Sequence, residues 1–174
     1  MGSVRRDARR LREIKRKGAP WYVIESLLFE NGYQAVVLYR IAHWFKSHGI
    51  PLFGPLVARF SLWLTGVDIA PAATIGPGLL ISHGVALVIG NSVQLGEDVT
   101  LLHQVTIGAA STRRIDRMPR LGDRVYVAAG AKIIGDVSIG NDVFVGAGAL
   151  VTRDVPDNSK VVSSASIEIL QQTP

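Results

Sequence analysis

Val67-Asp-Ile-Ala-Pro-Ala-Ala-Thr-Ile-Gly76 and Val137-Ser-Ile-Gly-Asn-Asp-Val-Phe-Val-Gly146 share one rhythm, an aliphatic residue every six positions with glycine often directly behind it. Ile69, Ile75, Ile81 and Leu87 start the series, and Ile89, Leu95, Leu101 and Ile107 resume it two residues out of phase. Leu121, Val127, Ile133, Ile139, Val145 and Val151 complete it. A period of six fits neither an α-helix nor a simple alternating hairpin sheet. It requires short flat strands, each placing one aliphatic side chain inward, with a turn between successive strands. Three strands close a triangular coil of 18 residues, and stacking the coils builds a ladder of Ile, Leu and Val. A β-sandwich would show turn signals at longer intervals without this fixed phase. The sequence therefore predicts a mainly β fold, a parallel β-helix of hexapeptide repeats.

Outward from the repeats, the pattern changes at both ends and once in the middle. Upstream, Tyr22, Ser26 and Phe29, then Ala35, Leu38 and Ala42, recur at three- and four-residue spacings and predict about three short helices, divided by Gly32, Gly49, Pro51 and Gly54. Trp21, Trp44 and Trp63 read as core or interface anchors. The apolar run Ile50–Ile69 is broken by Pro51, Pro55 and Arg59, and reads as a buried helix plus connection rather than a membrane span. Between Ile107 and Leu121 the period fails over residues 109–120, a loop carrying Arg113, Arg114, Arg117 and Arg120 and suited to an anionic partner. The expected organisation is a helical region over 1–66 with a basic arm, a β-helical domain over 67–156 with the loop 109–120, and a tail over 157–174.

Composition narrows the chemistry. The 174 residues contain no cysteine, which excludes disulfides, thiolate metal sites and a cysteine nucleophile. The net charge of +5 is concentrated in residues 1–17, where eight Lys/Arg stand against Asp7 and Glu13. That arm reads as a solvated, partly frayed helix, able at most to make weak contact with anionic surfaces, and nucleic acid is not an expected partner. No apolar segment follows these arginines as in an export signal, so a cytoplasmic location is expected.

Of the four histidines, His43 and His48 belong to the helical region, whereas His83 and His103 interrupt the repeats. Asp68 precedes His83 by 15 residues, somewhat less than one coil, so the pair is expected on adjacent coils, where a carboxylate can orient an imidazole as general base. A zinc-dependent hydratase on such a solenoid needs three converging histidines, and the coils hold two, so no metal is expected.

Further runs point to a family. Asn31-Gly-Tyr-Gln-Ala, Tyr39-Arg-Ile-Ala-His-Trp44, Val67 through Gly76, Val88-Ile-Gly90, Val105-Thr-Ile-Gly108 and Gly130-Ala-Lys-Ile-Ile-Gly135 together resemble the serine acetyltransferases over roughly residues 30–155. The resemblance implies a left-handed coil, a homotrimer, and acetyl-CoA as co-substrate in cysteine biosynthesis. It implies direct acetyl transfer in a ternary complex, with His83 as general base, Asp68 orienting it, and Arg117 holding the carboxylate of L-serine. Backbone groups near Ala129 and Ala147 would meet the pantetheine arm; Lys132, Arg153 and Lys160 are phosphate candidates by charge alone. Ser82 stands where the family has an aspartate that grips the acceptor's ammonium group, and Met118 where it has a second histidine of the acceptor pocket. These departures leave two alternatives: a sugar hydroxyl of a surface polysaccharide as acceptor, or a trimeric scaffold without catalysis.

Overall fold

The computed structural model describes residues 2–15, 22–111 and 117–163. Four helices come first: α1 (Gly2–Lys15), α2 (Tyr22–Phe29), α3 (Asn31–Ser47) and α4 (Phe53–Thr65). Then β1 (Val67–Ile69), β2 (Thr74–Ile75) and β3 (Leu80–Ser82) form the first coil of a solenoid, and each later coil stacks its strands in parallel on these. On β1 lie β4 (Leu87–Ile89), β7 (Thr106–Gly108), β10 (Lys132–Ile134) and β13 (Leu150–Val151). On β2 lie β5 (Gln94–Leu95), β8 (Arg120–Leu121) and β11 (Ser138–Ile139). On β3 lie β6 (Thr100–Leu102), β9 (Tyr126–Val127), β12 (Phe144–Val145) and β14 (Lys160–Val161). The result is the parallel β-helix that the hexapeptide period predicts, with about four turns.

The register refines the reading. Each side of the triangle turns two residues inward, not one, as in Val67 with Ile69, Ala73 with Ile75 and Val99 with Leu101, all buried. The second of each pair forms the six-residue series; the first is Val or Ala in most pairs, and leucine at Leu79 and Leu87. Leu87 continues the first series only numerically: its partner across the coils is Val67, whereas Ile69 stacks on Ile89. The first coil is therefore 20 residues long, Asp68 pairing with Val88, and the next is 18, Val88 pairing with Thr106. The phase jump seen in the sequence is a two-residue insertion between β3 and β4, at the corner that carries His83. Arg120, assigned to the loop from the sequence, lies in β8 and pairs with Asp136 at 3.1 Å. Lys160–Val161, assigned to the tail, pairs with β12.

The basic arm is docked rather than wholly solvated: Arg5, Arg6 and Arg9 are exposed, but Asp7, Arg10 and Leu11 of α1 face the rest of the molecule. Asp7 of α1 is fully buried and accepts hydrogen bonds from the Arg40 guanidinium (3.0 and 3.2 Å) and from the backbone N–H groups of Gly78 (2.7 Å) and Leu79 (3.0 Å). Arg40 spends its remaining reach on the carbonyls of Ile75 and Gly76. Arg10 donates to the carbonyls of Gly78 and Val99 and to the Thr100 hydroxyl, and Arg6 pairs with Asp98 at 2.8 Å. A buried carboxylate must be paired and fully hydrogen-bonded to be tolerated, and only this clamp on the first coil provides that.

Of the two roles expected for the tryptophans, core or interface anchor, the structure excludes the first for the two that are described. Trp44 and Trp63 are exposed, Trp63 at 80%, so neither is a core residue of the chain; Trp21 lies outside the described residues. Phe29 and much of α4, including Leu56 and Phe60, are exposed too, so Ile50–Ile69 is not a buried helix. Among the described residues no helix is long and apolar enough to cross a membrane.

Candidate active site

The inserted corner between β3 and β4 has four residues, His83 to Ala86, where the next coil has two, His103 and Gln104. His83 sits in the left-handed region (φ 55), and Ala86 does too (φ 59). The turn is closed by hydrogen bonds from Val85 N–H to the His83 carbonyl (2.8 Å), Leu87 N–H to Gly84 (3.1 Å) and Ala86 N–H back to Gly66 (2.8 Å). A Cβ at Gly84 would stand 2.7 Å from Ile81 and 2.8 Å from Val67 side-chain carbons, so only glycine lets the corner fold inward there. Fixed backbone strain of this kind turns the His83 side chain out of the coil, where it is exposed.

A cleft of about 270 Å³ opens beside it, walled by Ser82, His83, Leu80 and Ile81 of the solenoid and by Leu11, Phe29, Glu30, Asn31 and Gly32 of the helices. Gly32 makes the wall possible: a Cβ there would overlap the Ile81 carbonyl oxygen, so α3 can lie flat on β3 only with glycine at this point. Glu30 is the extended N-cap between α2 and α3 and lines the cleft. Sequence reading missed Glu30 and Asn31 because their place beside His83 depends on how the helices fold back. The run Asn31-Gly-Tyr-Gln-Ala was the only signal for them.

Asp68 and His83 flank the same corner, since Gly66, two residues before Asp68, accepts the Ala86 hydrogen bond. Both side chains are exposed and no hydrogen bond joins them in this state. Arg117 is exposed where the loop returns, and Arg113 and Arg114 lie outside the described residues. Met118 is 7% exposed, belongs to the solenoid core and packs near Gly90. An apolar thioether loses less in the core than on the surface, and its burial pins the loop's return strand.

The corners above His83 form a column. Gln104 N–H donates to the Val85 carbonyl (3.0 Å), Gly130 N–H to His103 (3.0 Å) and Gly148 N–H to Ala129 (2.9 Å), so Val85, His103, Ala129 and Ala147 stand one above another. Among the described residues the N–H groups of Ala129 and Ala147 donate to no acceptor, leaving two backbone donors on one edge of the solenoid. Of the phosphate candidates, Lys132 bonds the Gly130 carbonyl (3.3 Å), Lys160 lies over the Phe144 ring (5.3 Å), and Arg153 lines a separate cavity at the C-terminal end of the coils. His43 contacts the Pro71 carbonyl and so joins α3 to the first coil, whereas His48 contacts the Trp44 carbonyl within the helical region.

Comparison with known proteins adds a family to this geometry. Residues 118–153 match the family described as bacterial transferase hexapeptide (six repeats). The serine acetyltransferase of Bacillus pumilus (strain SAFR-032) is 36% identical over 148 residues, which cover 85% of this chain and 68% of that protein. This chain belongs to the serine acetyltransferase family. The serine acetyltransferase of Mycobacterium tuberculosis is 39% identical over 137 residues, covering 79% of this chain and 59% of its own length. The chain thus spans about half to three fifths of the first curated serine acetyltransferases that it matches. The structure of the soybean serine acetyltransferase complexed with serine superimposes with a TM-score of 0.85 at 34% identity, covering 95% of this chain and 68% of that one.

Proposed function

We propose that this chain transfers the acetyl group of acetyl-CoA to the hydroxyl of L-serine, working as a cytoplasmic homotrimer in which residues 67–156 are the acyltransferase unit and 1–66 its helical wall. The observation that carries the reading is the corner column: His83 stands at one end beside a cleft, and the unpaired N–H groups of Ala129 and Ala147 stand at the other. Acetyl-CoA is a substrate here, not a resident group. Its pantetheine arm is rich in amide carbonyls, which suit the free donors of Ala129 and Ala147.

In this reading His83 removes the acceptor's hydroxyl proton, the oxygen attacks the thioester carbon, and the imidazolium returns the proton to the departing thiolate. Asp68 orients the ring by accepting its other N–H once the acceptor draws His83 into place; such contacts are often open before substrate binds. Arg117 takes the acceptor carboxylate bidentately. Ser82 lacks the carboxylate that the resemblance leads one to expect for the acceptor's ammonium group, and Glu30 also lines the cleft. Met118 acts through the core and touches no substrate.

Ser82 also favours a second reading, a neutral sugar hydroxyl as acceptor. The deciding experiment follows CoA thiol release with L-serine and with a panel of sugars and nucleotide sugars. The expected result is turnover with serine that falls on the order of 10²–10⁴-fold in His83→Ala. Turnover with sugars alone would move the protein to polysaccharide modification, and none with any acceptor would leave the scaffold reading.

A further inference from the structure

His103 has no part in that mechanism, yet it occupies the middle of the column. The order Val85, His103, Ala129, Ala147 places it between the corner of His83 and the two free N–H groups, with Gln104 bonded directly to the His83 turn. The side chains at the Ala129 and Ala147 levels are single methyl groups, so a thin ligand can run along the edge there. At the His103 level the column carries an imidazole ring in place of a methyl group. An arm held by Ala129 and Ala147 with its acetyl end toward His83 must bring its thioester to that ring.

The ring itself is asymmetric. Nδ1 is buried and has no hydrogen-bond partner, whereas Nε2 is neither buried in that way nor bonded. A buried N–H without an acceptor is costlier than a buried lone pair. In a neutral imidazole the proton therefore belongs on Nε2, the nitrogen that is not buried in this way.

We infer that His103 is a further catalytic residue, a neutral imidazole whose Nε2–H donates to the thioester carbonyl oxygen. The inference rests on the donor path proposed above. As the acceptor oxygen bonds to the carbonyl carbon, the electron pair of the C=O bond moves onto its oxygen, where the His103 N–H meets the growing negative charge. When the pair returns, the C–S bond breaks, and His83 delivers to sulfur the proton it took from the acceptor. A preorganised neutral donor of this kind stabilises charge that develops only during reaction, so it acts on kcat more than on binding.

The test compares wild type, His103→Leu and His103→Gln in steady-state thiol release, with CoA affinity measured by calorimetry and His83→Ala as the inactive reference. His103→Leu is expected to lose about 100-fold in kcat, with KM for acetyl-CoA and affinity for CoA nearly unchanged. His103→Gln, which keeps an N–H donor, is expected to recover much of that loss. Nitrogen-15 spectra of the wild-type imidazole supply a readout independent of the variants' folding: the Nε2-protonated form is expected, with its resonance moved by acetyl-CoA and much less by CoA. Wild-type turnover abolished in His83→Ala but retained in His103→Leu would overturn this inference alone, as would an Nδ1-protonated ring. Failure of wild type to bind acetyl-CoA at all would overturn it together with the proposed function.

Discussion

Single residues account for much of what holds the helices to the coils. Asp7 collects four hydrogen bonds while fully buried, and its removal leaves the Arg40 guanidinium half-paired and two backbone N–H groups without acceptors. Asp7→Ala is therefore expected to cost about 3 kcal/mol, read from urea unfolding. Tyr39 is 2% exposed and donates to the Ala73 carbonyl at 2.8 Å; burial pushes its phenol up to about 12 from the ordinary 10.0. The unfolded phenol ionises first, so this stabilisation is complete below about pH 10 and is lost as pH rises towards about 12. Unfolding free energy should fall across that window in wild type and fall less steeply in Tyr39→Phe. Asp7 did not announce itself in the sequence, where it was one acid in a basic run, and Tyr39 stood out only as the start of a family motif.

At the scale of elements, the decisive contact is α3 lying on β3. Gly32 has no room for a methyl group against the Ile81 carbonyl, and Ser82 and His83 follow directly on that strand. Gly32→Ala should push the helix outward, cost about 1–3 kcal/mol and raise the KM for the acceptor. A normal melting temperature with unchanged KM would show that the cleft does not depend on this contact. The strands themselves were legible because each inward position repeats along the chain. The two-residue insertion at 83–86 was visible as a phase jump between Leu87 and Ile89, but its meaning, a longer corner that turns His83 outward, needed the register of β1 against β4.

On the scale of the whole molecule, helices and solenoid contribute different walls to one site. Leu11 of α1 lines the cleft with Glu30 and Asn31, whereas Ala129 and Ala147 lie on later coils that α1 does not touch. Deleting residues 2–15 should therefore raise the KM for the acceptor while leaving that for acetyl-CoA close to wild type, with circular dichroism confirming that the coils persist. Equal loss of both would mean that the helices support the donor path as well. The coil architecture, the helical region before it and the family were open to a reader of the chain, because local period and short motifs are properties of neighbouring residues. So was the choice of His83 and Asp68 as candidates. What awaited the folded chain were the relations among distant segments: the clamp of Asp7 on Gly78 and Leu79, the arrival of Glu30 at the cleft, the burial of Met118 and the stacking of His103 over the His83 corner. Each depends on which surfaces meet when apolar area is buried, and that is settled by long-range packing rather than by any residue's immediate neighbours.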